Sequence, residues 1–395
     1  MKLSDGGRPS AGVIGVARPP ACMDDSEDQA DRRVAVVGAG AVGLTAAYDL
    51  ADRGADVTVY ERETVAAAST GRAAGICYDA FAEDVDARVA ARAVERFRAF
   101  SGGGDFAFAE TPYVWFVTEP GAKADAIREQ VDAMQRHGRD VEHVDAGDLA
   151  AEFPALRTED VVEAAVARDA AVVDTSAYAH LLADLTSEAG VEIRERTPAS
   201  VETEPVRVNG DAYDDVVVAA GAHTKRVLAD AGVSVPLKPY RVQALTANAP
   251  GKRLPTVYDA TAGYYARPHP EGLLAGDGTE PVEADPDGYD RDGDDWFVDA
   301  TEDRLRDRFP GYEPAVERAW AGLCTATPDR DPLLGELTEG LYVAAGWQGH
   351  GFMRAPATAE AIAEQVLGGD GVPAFDPTRF DGSESFEVVE GMAVE

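Results

Sequence analysis

Three glycines, Gly38, Gly40 and Gly43, stand in the spacing G-x-G-x-x-G between a short apolar run (34–37) and a stretch of small residues reaching about residue 53. That pattern predicts a strand, a tight turn and a helix, with a second strand over 56–60. Gly38 permits the turn, Gly40 lets the backbone approach a pyrophosphate, and Gly43 lets helix and strand pack closely, with Ala41 and Val42 opening the helix. The helix start then presents N–H groups without intrahelical partners, and a partial positive charge, to the phosphates. Glu61 follows Gly43 by 18 residues, where a carboxylate accepts from ribose hydroxyls and disfavours a 2′-phosphate. Arg62 joins it as a candidate cofactor contact. The opening therefore constrains the chain to an α/β dinucleotide-binding (Rossmann-like) domain with a central parallel sheet. The loop alone does not choose between FAD and NAD.

With 395 residues the chain exceeds one compact core, and a second lobe is expected. Residues 31–84, 145–235 and 322–370 read as the cofactor lobe. Residues 85–144 and 236–321 read as an α+β substrate lobe with a mainly antiparallel sheet, because short strands (241–246, 264–267, 273–275) alternate there with Gly and Pro. Helices are expected over 85–100, 122–137, 175–189 and from about 351 to 367. Strands are expected over 113–117, 191–193, 216–219 and 341–344. Residues 1–30, rich in Gly, Pro and Asp, lack the apolar core of a signal peptide. They read as an extension without ordered structure, with Met23 as the native start, and residues 371–395 read as a tail.

Charge narrows the partners. The net charge is −36, and only 5 of the 36 basic residues are Lys, which argues against nucleic acid. At about 1 M salt the Debye length falls to roughly 3 Å and screens such self-repulsion; the composition resembles that of halophilic archaeal proteins. No run approaches the roughly 20 apolar residues of a membrane span. Cys22, Cys77 and Cys324 are too few and too far apart for a disulfide framework or a zinc site. The acidic segment 277–295 fails the ligand spacing of a calcium loop, so no metal is expected. These features together point to a cytoplasmic protein.

Four stretches decide the cofactor. STGRAAG (69–75), VVVAAGAHT (216–224), TPDRDPLLG (327–335) and GWQGHGF (346–352) resemble, in this order, the signatures of the D-amino acid oxidase family of FAD enzymes, which includes glycine oxidase, sarcosine oxidase and D-amino acid dehydrogenase. The similarity covers about residues 33–367. It implies that Ser69, Thr70 and Arg72 approach the flavin and its pyrophosphate, Val201 and Gly221 the adenine end, and Gly349, His350, Gly351, Phe352 and Met353 the isoalloxazine ring. Ala73, Ala220, Gly322 and Gly346 complete the implied contacts. The family oxidises a C–H bond beside nitrogen, or in some members beside oxygen, by passing a hydride to flavin N5.

The substrate anchors depart from that pattern. Glycine oxidase and D-amino acid dehydrogenase carry a carboxylate-binding arginine two residues after the glycine of a G-L-R-P run. This chain reads Gly322, Leu323, Cys324, and a thiol cannot form the bidentate pair. Sarcosine oxidases place a lysine directly after G-H-G-F, where Met353 stands here. Arg354, Arg267 and Arg72 are the replacement anchors, Tyr264, Tyr265 and Tyr78 the candidate pocket walls, and His350 a candidate for catalysis or for helix capping. Cys324 reads as a buried apolar residue or as one facing the pocket. Covalent members attach flavin at the position aligned with Gly322, so the FAD is expected to be non-covalent. The flavin-facing lysine of oxygen-using sarcosine oxidases has no counterpart at 273–275, so a respiratory carrier stands beside oxygen as acceptor. The expected reaction is oxidation of the C–N bond of a small amine or amino acid of D-amino acid, glycine or sarcosine type. Alternatives are a hydroxy acid or polyol dehydrogenase, and a flavin-holding subunit or tRNA-modifying partner.

Overall fold

The structure, a computed structural model, describes residues 32–389 and 391; the expected N-terminal extension, the Met23 start and Cys22 lie outside the described residues. Alternate residues of Arg33–Val37 feed two different cores. Val34 and Val36 pack with Val57 and Val59 on one side, and Ala35 and Val37 with Val216 and Val218 on the other. A parallel sheet buried on both faces needs such continuous apolar runs. The six strands lie in the order Leu333–Thr338, Leu341–Ala345, Asp215–Val218, Arg33–Val37, Asp56–Tyr60, Glu192–Arg194. Every neighbouring pair is parallel except the first, which is an antiparallel edge.

Helices Ala41–Asp52 and Gly351–Val366 cover one face side by side, their contact made close by alanines such as Ala46, Ala47, Ala355, Ala359 and Ala363. Helix Asp84–Phe100 lies on Gly351–Val366. It is locked there by Arg96, whose Nη1 and Nη2 donate to the two Asp49 carboxylate oxygens at 2.7 and 2.6 Å, with Nη1 also donating to Pro356 O. Both partners are buried. Removing one side of such a pair strands a buried charge, so Asp49→Ala is expected to lower stability by about 3–5 kcal/mol in chemical denaturation. A loss below about 1 kcal/mol would show that the pair does not hold the lobe together.

The second sheet has eight strands, ordered Val316–Ala326, Lys238–Asn248, Gly272–Asp277, Tyr264–His269, Thr256–Asp259, Tyr113–Val117, Glu163–Ala167, Val141–His143. All pairings are antiparallel except that of Thr256–Asp259 with Tyr113–Val117. The two-residue period sorts its side chains. Val114, Phe116, Tyr264, Ala266, Leu273 and Ala275 enter a core covered by Phe297 and Leu305 of helix Asp295–Arg308. Tyr113, Trp115 and Tyr258 turn the other way and join the core of the parallel-sheet lobe.

Three expectations are corrected. Glu163–Ala167, assigned to the cofactor lobe within 145–235, belongs to the antiparallel sheet. Helix Asp84–Phe100, assigned to the substrate lobe, packs on the cofactor side through its Ala90, Ala93 and Phe97 face. Helix Asp295–Arg308 arises where only strands were expected, because its buried stripe is narrow and includes polar Thr301 between Phe297 and Leu305 at four-residue spacing. The tail packs back onto the body: Val388 is buried beside Tyr240, with Cys324 and Phe386 against them.

Candidate functional site

At the first turn, Gly38 has φ +113°, and a Cβ on Gly43 would sit 2.0 Å from Gly38 O. Only glycine fits there, because both clashing groups are backbone. Gly40 caps helix Ala41–Asp52 without a side chain, and the first turn holds no acidic residue. Thr70 Oγ1 accepts from Ala41 N at 3.0 Å, bringing the Thr70–Arg72 turn against the helix start. Glu61 accepts from Ala39 N at 2.9 Å and from Glu63 N at 2.7 Å, which fixes its carboxylate beside the loop. A helix start capped by glycine, with no acid in its first turn and a held carboxylate beside the loop, fits a nucleotide's pyrophosphate and ribose.

Other expected contacts are arranged around this turn. Ala219 N donates to Val37 O, placing Ala220 and Gly221 beside the glycine turn. Ser69 donates through Oγ to Leu323 O at 2.7 Å. Arg72 donates to the carbonyls of Ala67 and Ala68, and its Cβ is 3.4 Å from where a Cβ on Gly322 would lie. Ala73 follows it in extended conformation. The Val201 side chain is buried in the core with Ala35 and Tyr60. Arg62, expected beside the cofactor, pairs with Asp287 at 2.9 Å and so helps pin the acidic segment to this lobe.

The second helix start belongs to the loop 346–351. Gly346, Gln348 and Gly349 all have positive φ (+86°, +48°, +85°), and Thr325 holds the loop by accepting from Gly346 N and Gln348 N. Gln348 Nε2 also donates to Val389 O of the tail. His350 caps helix Gly351–Val366 without a side-chain bond, and Phe352 and Met353 follow in its first turn. Burial and the neighbouring Arg354 charge hold the His350 pKa down at about 3, so the imidazole is neutral at working pH. Its Nε2 is 3.5 Å from Tyr78 Oη.

The structure separates the three candidate anchors. Arg354 has an acid beside it: its Nη1 is 2.8 Å from Asp86 and its guanidinium lies 4.5 Å over the Phe81 ring, while its Nε has no partner among the described residues. Arg72 serves backbone carbonyls, as above. Arg267 is buried, donates only to Pro268 O, and has an Nε without a partner among the described residues. Burial pushes its pKa down to about 10, leaving it charged at neutral pH. It shares the cofactor-side face of its strand with Tyr265, whose phenol lies over Gly276: a Cβ there would be 2.1 Å from Tyr265 Oη. Tyr264, expected as a pocket wall, faces the opposite core. Cys324, at the sequence position expected for the family's arginine, packs beside Tyr240 and Val388. Gln348, Thr325 and the aromatic pair Tyr113 and Trp115 escaped the sequence reading. For the pair, the alternation of Tyr113-Val-Trp115 was the available signal.

One acid near this loop gives a pH prediction. Burial, with Asp86 and Asp329 close by, pushes Asp331 up to about 6, above the ordinary value of about 4. Its ionisation is therefore disfavoured by folding. The associated stability is present below about pH 4 and lost as pH rises through about 6. Asp331→Asn is expected to melt higher than the parent at pH 8, with the gain vanishing near pH 4. An equal difference at both pH values would contradict this.

Fold and site thus define a two-lobed flavin-type oxidoreductase, with a dinucleotide turn on a parallel sheet and an antiparallel sheet facing it. Over residues 33–365 the chain matches the family described as DAO, FAD dependent oxidoreductase, and it belongs to that family. It is accordingly an FAD-dependent oxidoreductase. It is 27% identical over 393 residues to the tRNA 5-methylaminomethyl-2-thiouridine biosynthesis bifunctional protein MnmC of Maricaulis maris, covering 95% of this chain but 60% of that protein. To glycine oxidase of Pseudomonas putida it is 26% identical, covering 88% of this chain and 98% of that one. L-proline dehydrogenase from P. horikoshii has a similar structure, with a TM-score of 0.81 at 26% identity over 90% of this chain and 99% of that chain. No helix among the described residues is long and apolar enough to cross a membrane.

Proposed function

We propose that the chain oxidises the C–N bond of an α-amino acid by hydride transfer to non-covalently bound FAD, with a respiratory carrier or oxygen as final acceptor. One observation carries this reading: Arg267, a buried cation without a carboxylate partner among the described residues, on the sheet face turned to the flavin lobe. A buried charge is stable only when paired, and a guanidinium suits a carboxylate through two parallel hydrogen bonds.

FAD supplies the hydride acceptor. Within the chain, Gly38 to Gly43, Thr70 and Glu61 would hold the nucleotide, and the amides from Gly349 to Met353 would face the ring's carbonyl edge, where negative charge grows. Arg267 would fix the substrate carboxylate and so aim the α-hydrogen, while the aromatic sheet face excludes water. Gly322 offers no side chain for a covalent flavin link, so acid precipitation is expected to release the flavin into the supernatant. The net charge of −36 supports work in a saline cytoplasm and disfavours a tRNA substrate such as the Maricaulis relative's name specifies.

The test is dye-linked turnover in about 1 M KCl, where surface charge is screened. Three compounds of one carbon skeleton are compared: the amino acid, its decarboxylated amine and its 2-hydroxy acid. The reading expects the amino acid to be turned over and the amine to be much poorer. Preference for the hydroxy acid would transfer the assignment to C–OH oxidation.

A further inference from the structure

Beside His350 lies a cavity of about 160 Å³ whose walls include Tyr78, Phe81, Tyr113, Trp115, Tyr258 and Met134. Four of these rings form a column. Phe81 stacks on Tyr78 with centroids 5.3 Å apart, Tyr78 on Tyr113 at 4.5 Å and 3°, and Tyr113 on Trp115 at 5.5 Å. The outer face of Phe81 is taken by the Arg354 guanidinium. Within the column the faces of Tyr78 and Tyr113 are therefore covered on both sides, and these rings turn their edges to the cavity.

The edge geometry selects the occupant. Ring edges carry partial positive charge and ring faces partial negative charge, so a cation seeks a face. Where the edges of Tyr78 and Tyr113 line the cavity, they disfavour an alkylammonium group and favour an apolar group or the face of another ring. Size agrees, because a space of roughly 150 Å³ takes one benzene ring, although this one opens to solvent and includes Gln130 in its lining. Tyr113 also shares a sheet face with Arg267, with strand Thr256–Asp259 between their strands. Two strand spacings are about 10 Å, a separation that one amino acid with a large side chain can bridge.

We infer that this cavity receives the side chain of the substrate and that the substrate is an amino acid with an aryl or large aliphatic side chain rather than glycine or sarcosine. The inference rests on the proposed amino acid oxidation, but its test includes a part that needs no turnover. 3-Phenylpropionate has the aryl group and carboxylate but no C–N bond to oxidise. Calorimetry on the FAD-loaded enzyme is expected to show it binding at least about 100-fold more tightly than acetate, as burial of a phenyl group implies. Met134→Trp, which fills the cavity, should remove most of that advantage. In turnover, kcat/KM for phenylalanine, tried as both enantiomers, should exceed that for alanine by about 100-fold, and Met134→Trp should cut that ratio at least tenfold.

Equal binding of acetate and 3-phenylpropionate would overturn the inference, as would tighter binding of tetramethylammonium than of 3-phenylpropionate. Turnover of glycine as efficient as that of phenylalanine would also overturn it while leaving C–N oxidation standing. Tight binding of 3-phenylpropionate that Met134→Trp abolishes, with no amino acid reducing the flavin, would uphold the cavity assignment and reject the oxidation reading.

Discussion

Gly43→Ala is expected to yield protein that has lost its flavin. The new methyl carbon would lie 2.0 Å from Gly38 O, and the strand Arg33–Val37 and helix Ala41–Asp52 leave neither backbone segment room to withdraw. Forcing extra volume into packed structure costs about 1–3 kcal/mol or more, and here it acts on the turn whose amides meet the pyrophosphate. The flavin-to-protein ratio after purification should fall at least about tenfold, with a lower melting temperature. A variant as yellow as the parent would show that the nucleotide is held elsewhere.

Arg267→Met should separate binding from folding. Losing one side of a buried charged contact costs about 2–5 kcal/mol, which at roughly 3 kcal/mol is a fall of about 100-fold or more in kcat/KM. Most of it should appear in KM, because the guanidinium holds the carboxylate in both the ground state and the transition state. Stability should stay level or rise, since replacing a buried charge by an apolar side chain of similar volume is often neutral or favourable. A structural arginine would behave in the opposite way, with lower stability and an unchanged KM. The same logic distinguishes Arg354, whose pairing with Asp86 makes its loss a defect of folding first.

The cofactor half of the molecule was largely legible in the sequence. The run 34–37, the three glycines and Glu61 lie in one continuous stretch, and each obeys a local rule of turn, helix start or strand end. Tyr113–Val117 and Asp56–Tyr60 took the bounds their apolar runs suggested. The substrate side was much less legible, because its chemistry is set by pairing between distant strands. Nothing local separates Arg267 from Arg354; one is left without an acid and the other meets Asp86 only after helices Asp84–Phe100 and Gly351–Val366 pack together. Tyr264 and Tyr265 are neighbours in sequence, yet the pleat sends the first into the core under helix Asp295–Arg308 and the second toward the flavin lobe. The aromatic column needs Tyr78 and Phe81 from one lobe and Tyr113 and Trp115 from the other, a juxtaposition that no sequence period encodes. Lobe boundaries failed for a related reason, since Glu163–Ala167 is an apolar run that suits either sheet.

The most direct test mixes the purified FAD-loaded enzyme, without oxygen and in about 1 M KCl, with amino acids over a range of concentrations while the visible flavin absorbance is followed. The account expects the yellow colour to bleach with a rate that saturates in amino acid for the parent, and to need far higher concentrations for Arg267→Met. A flavin that stays oxidised with every amino acid but bleaches with a hydroxy acid would contradict it.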